Sequence, residues 1–225
     1  MVFGEIVEPT TRALILEDED LENLPDYAGP VFQWEGKPEP PDNIETLVFI
    51  ESQKVIHIVN TLLKGIEPVA LIKDEGVFIY KFNDRYLVLF TGQLNKLVLG
   101  EIVEILAPWL KKAKTIHAIT TELINNLKPA EKYRDVVTVT KCLTNSSELP
   151  YGSRLETPNL IQGLGATVLT YCLCQKHQAY LWIVYTDHLP LDSMNSAELI
   201  KLLKFLGLDI KVSFKESPVV SNLYM

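Results

Sequence analysis

Apolar and polar positions along the chain follow two different periods from residue 46 onwards. Residues 47–50 form a short apolar run, which predicts a buried strand. Residues 68–73, 77–82 and 86–91 are rich in β-forming residues and are separated by turn residues, which predicts strands joined by hairpins. Between these regions the apolar positions recur every three or four residues and predict a helix that ends near Gly65, with a buried face formed by Val55, Ile56, Val59, Leu62 and Leu63.

A second helical pattern covers residues 98–109. Asn95 is its predicted N-cap, and Pro108, together with the lysines that follow, marks its predicted end. Residues 116–120 and 136–140 predict two further strands.

A loop is predicted over residues 144–156, and the residue types of Thr157 and Pro158 suit the N-cap and first position of a third helix. Small residues would let this helix approach a neighbour closely, and its expected buried side is Ile161, Leu164, Val168, Leu169 and Cys172. Asn195 with Glu198 resembles a capping box. The helix that would follow buries Leu199, Leu202, Leu203 and Leu206.

Strands therefore alternate with helices, and residues 180–185 are apolar throughout, which predicts a central strand covered on both faces. We expect an α/β fold with a mixed β-sheet and helices on both faces, in three layers and partly antiparallel. Residues 1–45 hold six of the 13 prolines and an acidic run. We expect an irregular Pro-rich, acidic extension there, then a single core domain over 46–216 and a flexible tail over 217–225.

Charge and composition narrow the classes of partner. The 225 residues are 47% hydrophobic and 22% charged, with a formal net charge of −8. A negative surface repels phosphate backbones and anionic lipids, so we expect no nucleic-acid and no membrane partner, whereas basic protein surfaces would be attracted. No signal peptide is expected, and the longest apolar stretches are far shorter than the ~20 residues that a membrane helix needs.

The cysteines indicate a reducing compartment. Cys142, Cys172 and Cys174 do not form a disulfide framework, and we expect thiols of the core rather than metal or redox groups. The expected location is cytoplasmic or nuclear.

Catalytic and metal-binding motifs are not recognised in the sequence. The histidines do not have metal-ligand spacing, and Gly163 and Gly165 lie in a helical pattern rather than in a dinucleotide-binding loop. No cofactor and no metal are expected. Asp187 and His188 are the best local candidates for a small-molecule site, because they follow the predicted central strand and could perform acid–base chemistry. The simpler interpretation is that both are turn or cap residues.

The C-terminal residues have a distinctive pattern. Leu223, Tyr224 and Met225 are a hydrophobic residue, a tyrosine and any residue, followed by the carboxylate. Ser217 and Pro218 mark the expected exit from the fold. Alone, this ending also suits a frayed or sheet-packed terminus.

Several segments resemble the proteasome assembly chaperone 1 family. Residues 155–161 (Leu-Glu-Thr-Pro-Asn-Leu-Ile), 185–187 (Tyr-Thr-Asp) and 221–225 (Ser-Asn-Leu-Tyr-Met) resemble the C-terminal half of its members, and residues 3–7 (Phe-Gly-Glu-Ile-Val) resemble their start. Between residues 8 and 154 the likeness extends only to the order of elements. The long acidic–basic N-terminal region of vertebrate members is absent or replaced.

The resemblance implies a chaperone for assembly of the proteasome 20S core particle, and not an enzyme. Members form a heterodimer with a second, related assembly chaperone and promote formation of the α-ring. Their hydrophobic–Tyr–X (HbYX) tail, which matches Leu223, Tyr224 and Met225 here, enters a pocket between α subunits, usually the fifth and sixth (α5/α6).

Two other hypotheses remain open at this stage. One is an α/β small-molecule-binding protein or enzyme that uses Asp187 and His188. The other is a scaffold protein whose C-terminal residues have no role. A tightly bound metabolite or metal in native mass spectrometry would favour the first, and unchanged interactions after removal of residues 223–225 would favour the second.

Overall fold

The computed structural model describes residues 32–92, 96–133, 136–187 and 191–210. Nine strands and five α-helices lie within these ranges. The strands are β1 (Trp34–Gly36), β2 (Ile44–Ile50), β3 (Ala70–Ile72), β4 (Val77–Phe82), β5 (Arg85–Phe90), β6 (Ala113–Leu123), β7 (Val139–Thr144), β8 (Ser153–Arg154) and β9 (Ala179–Thr186). The helices are α1 (Gln53–Val59), α2 (Leu99–Ile105), α3 (Ala107–Lys112), α4 (Leu164–Gln175) and α5 (Ala197–Phe205).

The strands form one mixed sheet in the order β1-β3-β4-β5-β2-β6-β9-β7-β8. Its centre, β5-β2-β6-β9, is parallel. The pairs β1-β3, β3-β4, β4-β5 and β9-β7 are antiparallel. The predicted hairpins are therefore confirmed, and so is the partly antiparallel sheet.

Helices cover both faces of this sheet. One apolar cluster joins the sheet to α2, α3 and α4, and the other joins it to α1 and α5. All 8 residues of β9 are buried, because this strand lies between β6 and β7 and beneath both helical layers. The predicted three-layer α/β class and the predicted central strand are confirmed.

The N-terminal part of the described chain contributes to the sheet. The short strand β1 pairs with β3, and Phe32 and Trp34 pack against the first apolar cluster. Residues 34–36 thus belong to the sheet, although they lie in the segment predicted as irregular. The division into extension, core and tail otherwise stays a prediction, because residues 1–31 and 211–225 lie outside the described ranges.

Two helix ends differ from the sequence predictions. The first helix ends at Val59 rather than near Gly65. The second pattern forms two helices, because the chain turns at Leu106 and Pro108 lies in the first turn of α3. A proline lacks the N–H that is unpaired at a helix start anyway, so Pro108 begins a helix here instead of ending one. The predicted cap Asn95 lies outside the described residues.

The start predicted for the third helix is wrong. Helix α4 begins at Leu164, after Gly163, and not at Thr157. The preceding segment is held elsewhere: the Asn159 side chain accepts a hydrogen bond from the Lys128 N–H and donates one to the Lys128 carbonyl, both at 2.8 Å. These contacts keep the segment out of the helix.

The predicted capping box is also wrong. Ser196 is the N-cap of α5 and makes no side-chain cap bond. Asn195 instead closes the preceding turn, since its Oδ1 accepts the Asp192 N–H at 2.7 Å. Two strands also differ from the predictions. Strand β7 runs from Val139 to Thr144 rather than over residues 136–140, and β8 lies in the segment 144–156 that was predicted as a loop.

Candidate functional site

The residues predicted to bind a partner through the C-terminus lie outside the described chain. These are Leu223, Tyr224 and Met225, and His188 is outside as well. Their roles stay predictions.

The parallel strands bring polar side chains together at their carboxyl ends. Glu51 and Ser52 directly follow β2, Thr121 and Glu122 are near the end of β6, and Asp187 directly follows β9. The hydroxyl oxygens of Ser52 and Thr121 lie 2.7 Å apart and share a hydrogen bond. This edge is where α/β folds usually bind ligands.

Glu51 reaches from the sheet to the start of α4. Its Oε2 accepts a hydrogen bond from the Gly165 N–H at 3.2 Å. Burial raises the pKa of Glu51 above its usual value, and the charge of Glu122 adds to this. Hydrogen bonds from Thr120 and from the N–H groups of Leu164 and Gly165 lower the pKa of Glu51, but by less. The carboxylate of Glu51 therefore lies at the N-terminal end of α4, where burial disfavours its charged form.

Asp187 is engaged in contacts that fix the neighbouring helices. Its carbonyl accepts a hydrogen bond from Lys54 Nζ at 2.7 Å, which ties the end of β9 to α1. Its Oδ1 accepts one from Asn195 Nδ2 at 3.2 Å, in the turn before α5. These contacts agree with the interpretation of Asp187 as a turn residue.

Two concave sites lie on the side of the sheet covered by α2, α3 and α4. The larger, of 490 Å³, is lined by the segment 36–41 with Val69, Tyr86 and Trp109. Trp109 Nε1 donates to the Pro38 carbonyl at 3.0 Å, which anchors this segment. The smaller, of 280 Å³, is lined by Glu122, Asn126, Lys128, Tyr185 and residues 158–161.

The buried histidine is part of an aromatic group. His117 Nδ1 accepts a hydrogen bond from Trp182 Nε1 at 3.1 Å, and its ring stacks on Tyr180 with centroids 5.3 Å apart. Burial lowers the pKa of His117 to about 4, and the charge of Arg85 adds to the shift. The imidazole is therefore neutral at physiological pH and accepts a structural hydrogen bond.

The cysteines only partly match the prediction of core thiols. Cys142 and Cys172 are buried, and burial raises the pKa of each thiol to about 12. Cys174 is exposed, so its assignment to the core is wrong. Residues two apart on a helix point to different sides, which separates Cys172 from Cys174.

Within residues 32–92, 96–133, 136–187 and 191–210, no three His, Cys, Asp or Glu side chains are grouped so that they could hold a metal ion. In the same ranges no helix is both long and apolar enough to cross a membrane. Glu51 was not predicted as a site residue, although a lone glutamate directly after a buried strand was its signal in the sequence.

The fold is shared by two archaeal proteins of known structure. PbaA of Pyrococcus furiosus, described as such a homologue, matches 77% of this chain and 82% of its own, with a TM-score of 0.60 and 15% identity. PbaB, described as an archaeal proteasome activator from the same organism, matches 80% of this chain and 90% of its own, with a TM-score of 0.54 and 10% identity. At such identities the likeness shows the fold alone.

Sequence comparison gives the more particular relationship. The chain is 44% identical over 48 residues to proteasome assembly chaperone 1 of Bos taurus, and 35% identical over 71 residues to that of Nematostella vectensis. The matches cover 21% and 31% of this chain, and 17% and 28% of the lengths of those relatives. No protein-family model matches the chain. Over these stretches the chain resembles proteasome assembly chaperone 1, and the resemblance predicted from the sequence is confirmed.

Proposed function

We propose that this chain is a chaperone for assembly of the proteasome 20S core particle and acts by binding rather than by catalysis. The observation that carries the proposal is its 44% identity over 48 residues to bovine proteasome assembly chaperone 1. The fold that it shares with PbaA agrees with this function. The chaperone works in the cytoplasm or nucleus.

In this proposal the chain pairs with a second, related assembly chaperone, and the heterodimer promotes formation of the α-ring. The negative net charge of −8 supports a partner surface with basic patches. Docking uses the C-terminal residues Leu223, Tyr224 and Met225, in a pocket between α subunits such as the fifth and sixth (α5/α6).

The chemistry of these three residues suits a narrow slot. The carboxylate of Met225 would pair with a lysine at the base of the slot. Tyr224 would supply apolar area and a hydroxyl, and Leu223 would fill a shallow apolar depression. A tripeptide binds weakly, so contacts of the folded body must raise its effective concentration.

The test uses protein that is tagged at the N-terminus, so that the C-terminal carboxylate is free. Full-length protein and a variant without residues 223–225 are recovered from cell extract, and the proteins that copurify are quantified by mass spectrometry. We expect proteasome α subunits and one related chaperone with the full-length chain. The truncation should lose the α subunits and keep the chaperone.

A chain extended by one residue after Met225 is the sharper variant. It keeps Leu223 and Tyr224 but displaces the carboxylate, so we expect it to lose α subunits as fully as deletion of Tyr224 does. Equal recovery of α subunits with the extended and full-length chains would refute the role of the carboxylate. Recovery of neither partner with the full-length chain would refute the proposed function.

The alternative of a small-molecule-binding protein or enzyme is not favoured by a specific observation. Asp187, one of its two residues, ties α1 and the start of α5 to the sheet.

A further inference from the structure

Helix α4 has an unusual composition for a helix that covers a sheet. Its sequence, LGATVLTYCLCQ, contains no Asp, Glu, Lys or Arg. Helices on the surface of a protein normally place charged and polar residues on the side away from the core. Every other α-helix in the described ranges contains a lysine or a glutamate.

The outer side of α4 is nevertheless exposed in the isolated chain. Thr170, Leu173 and Cys174 are exposed, with 51% of Leu173 accessible, and Ala166 and Thr167 are half-buried. Helix α5, on the opposite face of the sheet, shows the ordinary arrangement, because Lys201 and Lys204 are exposed there. A helix without charge on its outer side is typical of a helix that another surface covers.

The side of this face formed by α2 is acidic. Helix α2 packs beside α4 and adds Glu101 and Glu104. Burial raises the pKa of Tyr171 in α4, and the charge of Glu104 adds to the shift. Neither α2 nor α4 contains a lysine or arginine. In a pairing in which α2 faces α2, a second copy of this chain would bring its own glutamates against Glu101 and Glu104. A related chain with a different sequence can supply basic side chains there.

The size of the face suits the centre of an interface. The 12 residues of α4 span about 18 Å, and a neighbouring helix lies roughly 8–10 Å away. Together the two helices present an area of about 18 by 20 Å, which is roughly half of the ~800 Å² that each partner buries in a standard interface. Glu101 and Glu104 of α2 would then form one side of the rim, and Lys176, which directly follows α4, would lie at its end.

We propose that the outer face of α4, formed by Ala166, Thr167, Thr170, Leu173 and Cys174, is the surface on which the second chaperone docks with a helix of its own. The partner is a chain of the same fold and different sequence, which presents an uncharged helix flanked by basic residues toward α2. The short side chains Ala166, Thr167 and Thr170 allow close helix-to-helix approach. This inference rests on the proposed function and adds the partner-facing surface to it.

Charge substitutions on α4 test the surface. Thr170→Arg and Leu173→Arg place an unpaired charge at the centre of the proposed interface, whereas Met194→Arg places one at another exposed apolar residue, 69% accessible. Because a buried unpaired charge costs several kcal/mol, the α4 variants should bind the second chaperone at least about 30-fold more weakly. Met194→Arg should bind like the wild type, and all three should unfold at wild-type temperatures.

Two measurements on the assembled complex do not depend on how the arginine variants fold. In the complex purified through an N-terminal tag, iodoacetamide should modify Cys174 at least about tenfold more slowly than the thiol introduced by Met194→Cys, because an interface excludes the reagent. A photocrosslinking amino acid at position 170 should attach to a helix of the second chaperone. The same group at position 194 should not.

Three results would overturn the inference while the proposed function stands. They are copurification of the chaperone at wild-type levels with both α4 variants, equal alkylation of the two thiols, and a crosslink from position 170 to a proteasome α subunit. By contrast, the absence of both chaperone and α subunits from the wild-type preparation would be a failure of the proposed function itself.

Discussion

The buried His117 makes the stability of this chain depend on pH in a defined window. Its ring is enclosed by Tyr180 and Trp182, and its Nδ1 accepts the Trp182 N–H. Burial, aided by the charge of Arg85, lowers the pKa of His117 from 6.5 in the unfolded chain to about 4. Between these values the unfolded chain binds a proton that the folded chain does not, so protonation favours unfolding.

The size of the effect follows from the two pKa values. The free energy of unfolding should be unaffected by His117 above about pH 7 and should fall as the pH decreases through 6.5 towards 4. The loss from this residue is about 1.3 kcal/mol between roughly pH 7.5 and 5.5, and about 3 kcal/mol once the folded form is also protonated.

Urea unfolding followed by tryptophan fluorescence measures this contribution. His117→Gln is the comparison, since a glutamine oxygen can accept the Trp182 N–H but does not titrate. Other groups titrate equally in both proteins, so the difference between their pH profiles isolates His117. We expect the wild type to lose about 1.3 kcal/mol more than the variant between roughly pH 7.5 and 5.5. Parallel profiles would refute the assignment of a lowered pKa to this histidine.

Three further predictions concern the thiols, a glycine and a buried carboxylate. In the native chain alone, Cys174 should be alkylated rapidly, because it is exposed. Cys142 and Cys172 should react slowly, because both are buried and burial raises the pKa of each thiol to about 12. Rapid modification of a second thiol, measured by intact mass, would contradict this. Gly165→Ala should cost about 1–3 kcal/mol in urea unfolding, because its Cβ would lie 2.7 Å from Leu181 Cδ1. Gly100→Ala places its Cβ in open space in α2 and should not lower the free energy of unfolding. An equal loss of stability in Gly100→Ala and Gly165→Ala would contradict this prediction. Glu51→Gln should be at least as stable as the wild type near neutral pH, because burial raises the pKa of the Glu51 carboxyl group and so disfavours its charged form. A decrease of more than about 1 kcal/mol in the free energy of unfolding would show that the carboxylate stabilises the fold.

The sheet was predictable because burial on both faces leaves a local signature. A strand such as β9, covered on both sides, is apolar at consecutive positions, and that pattern can be read from the chain itself. Helix starts were less predictable because distant residues determine them. Two contacts determine that helix α4 begins at Leu164. Asn159 accepts a hydrogen bond from the N–H of Lys128, 31 residues away in the sequence. Glu51 accepts one from the N–H of Gly165, 114 residues away.

The exposed face of α4 was hidden for a related reason. The buried side that was predicted for this helix holds Leu164, Val168, Leu169 and Cys172, and all four are buried. The sequence gives no signal, however, that distinguishes an outer side covered by a partner from one that faces solvent. Both Cys172 and Cys174 were expected in the core because the stretch around them is apolar, whereas the packing of α4 on β6 and β9 buries Cys172 and leaves Cys174 exposed. An apolar residue that binds a partner and an apolar residue of the core have the same chemistry, and only the fold distinguishes them.

The polar groups at the carboxyl edge of the sheet serve to hold α4 and its neighbours in place. In many α/β proteins a bound anion lies at a helix N-terminus beside this edge. Here the protein's own Glu51 carboxylate lies at the start of α4, and Gly165 lets the same turn approach Leu181 of β9 closely. The first turn of α4 is thus fixed to two strands of the sheet. Because a rigid surface loses little conformational entropy on association, an anchored, uncharged α4 is better suited to partner binding than a mobile helix would be.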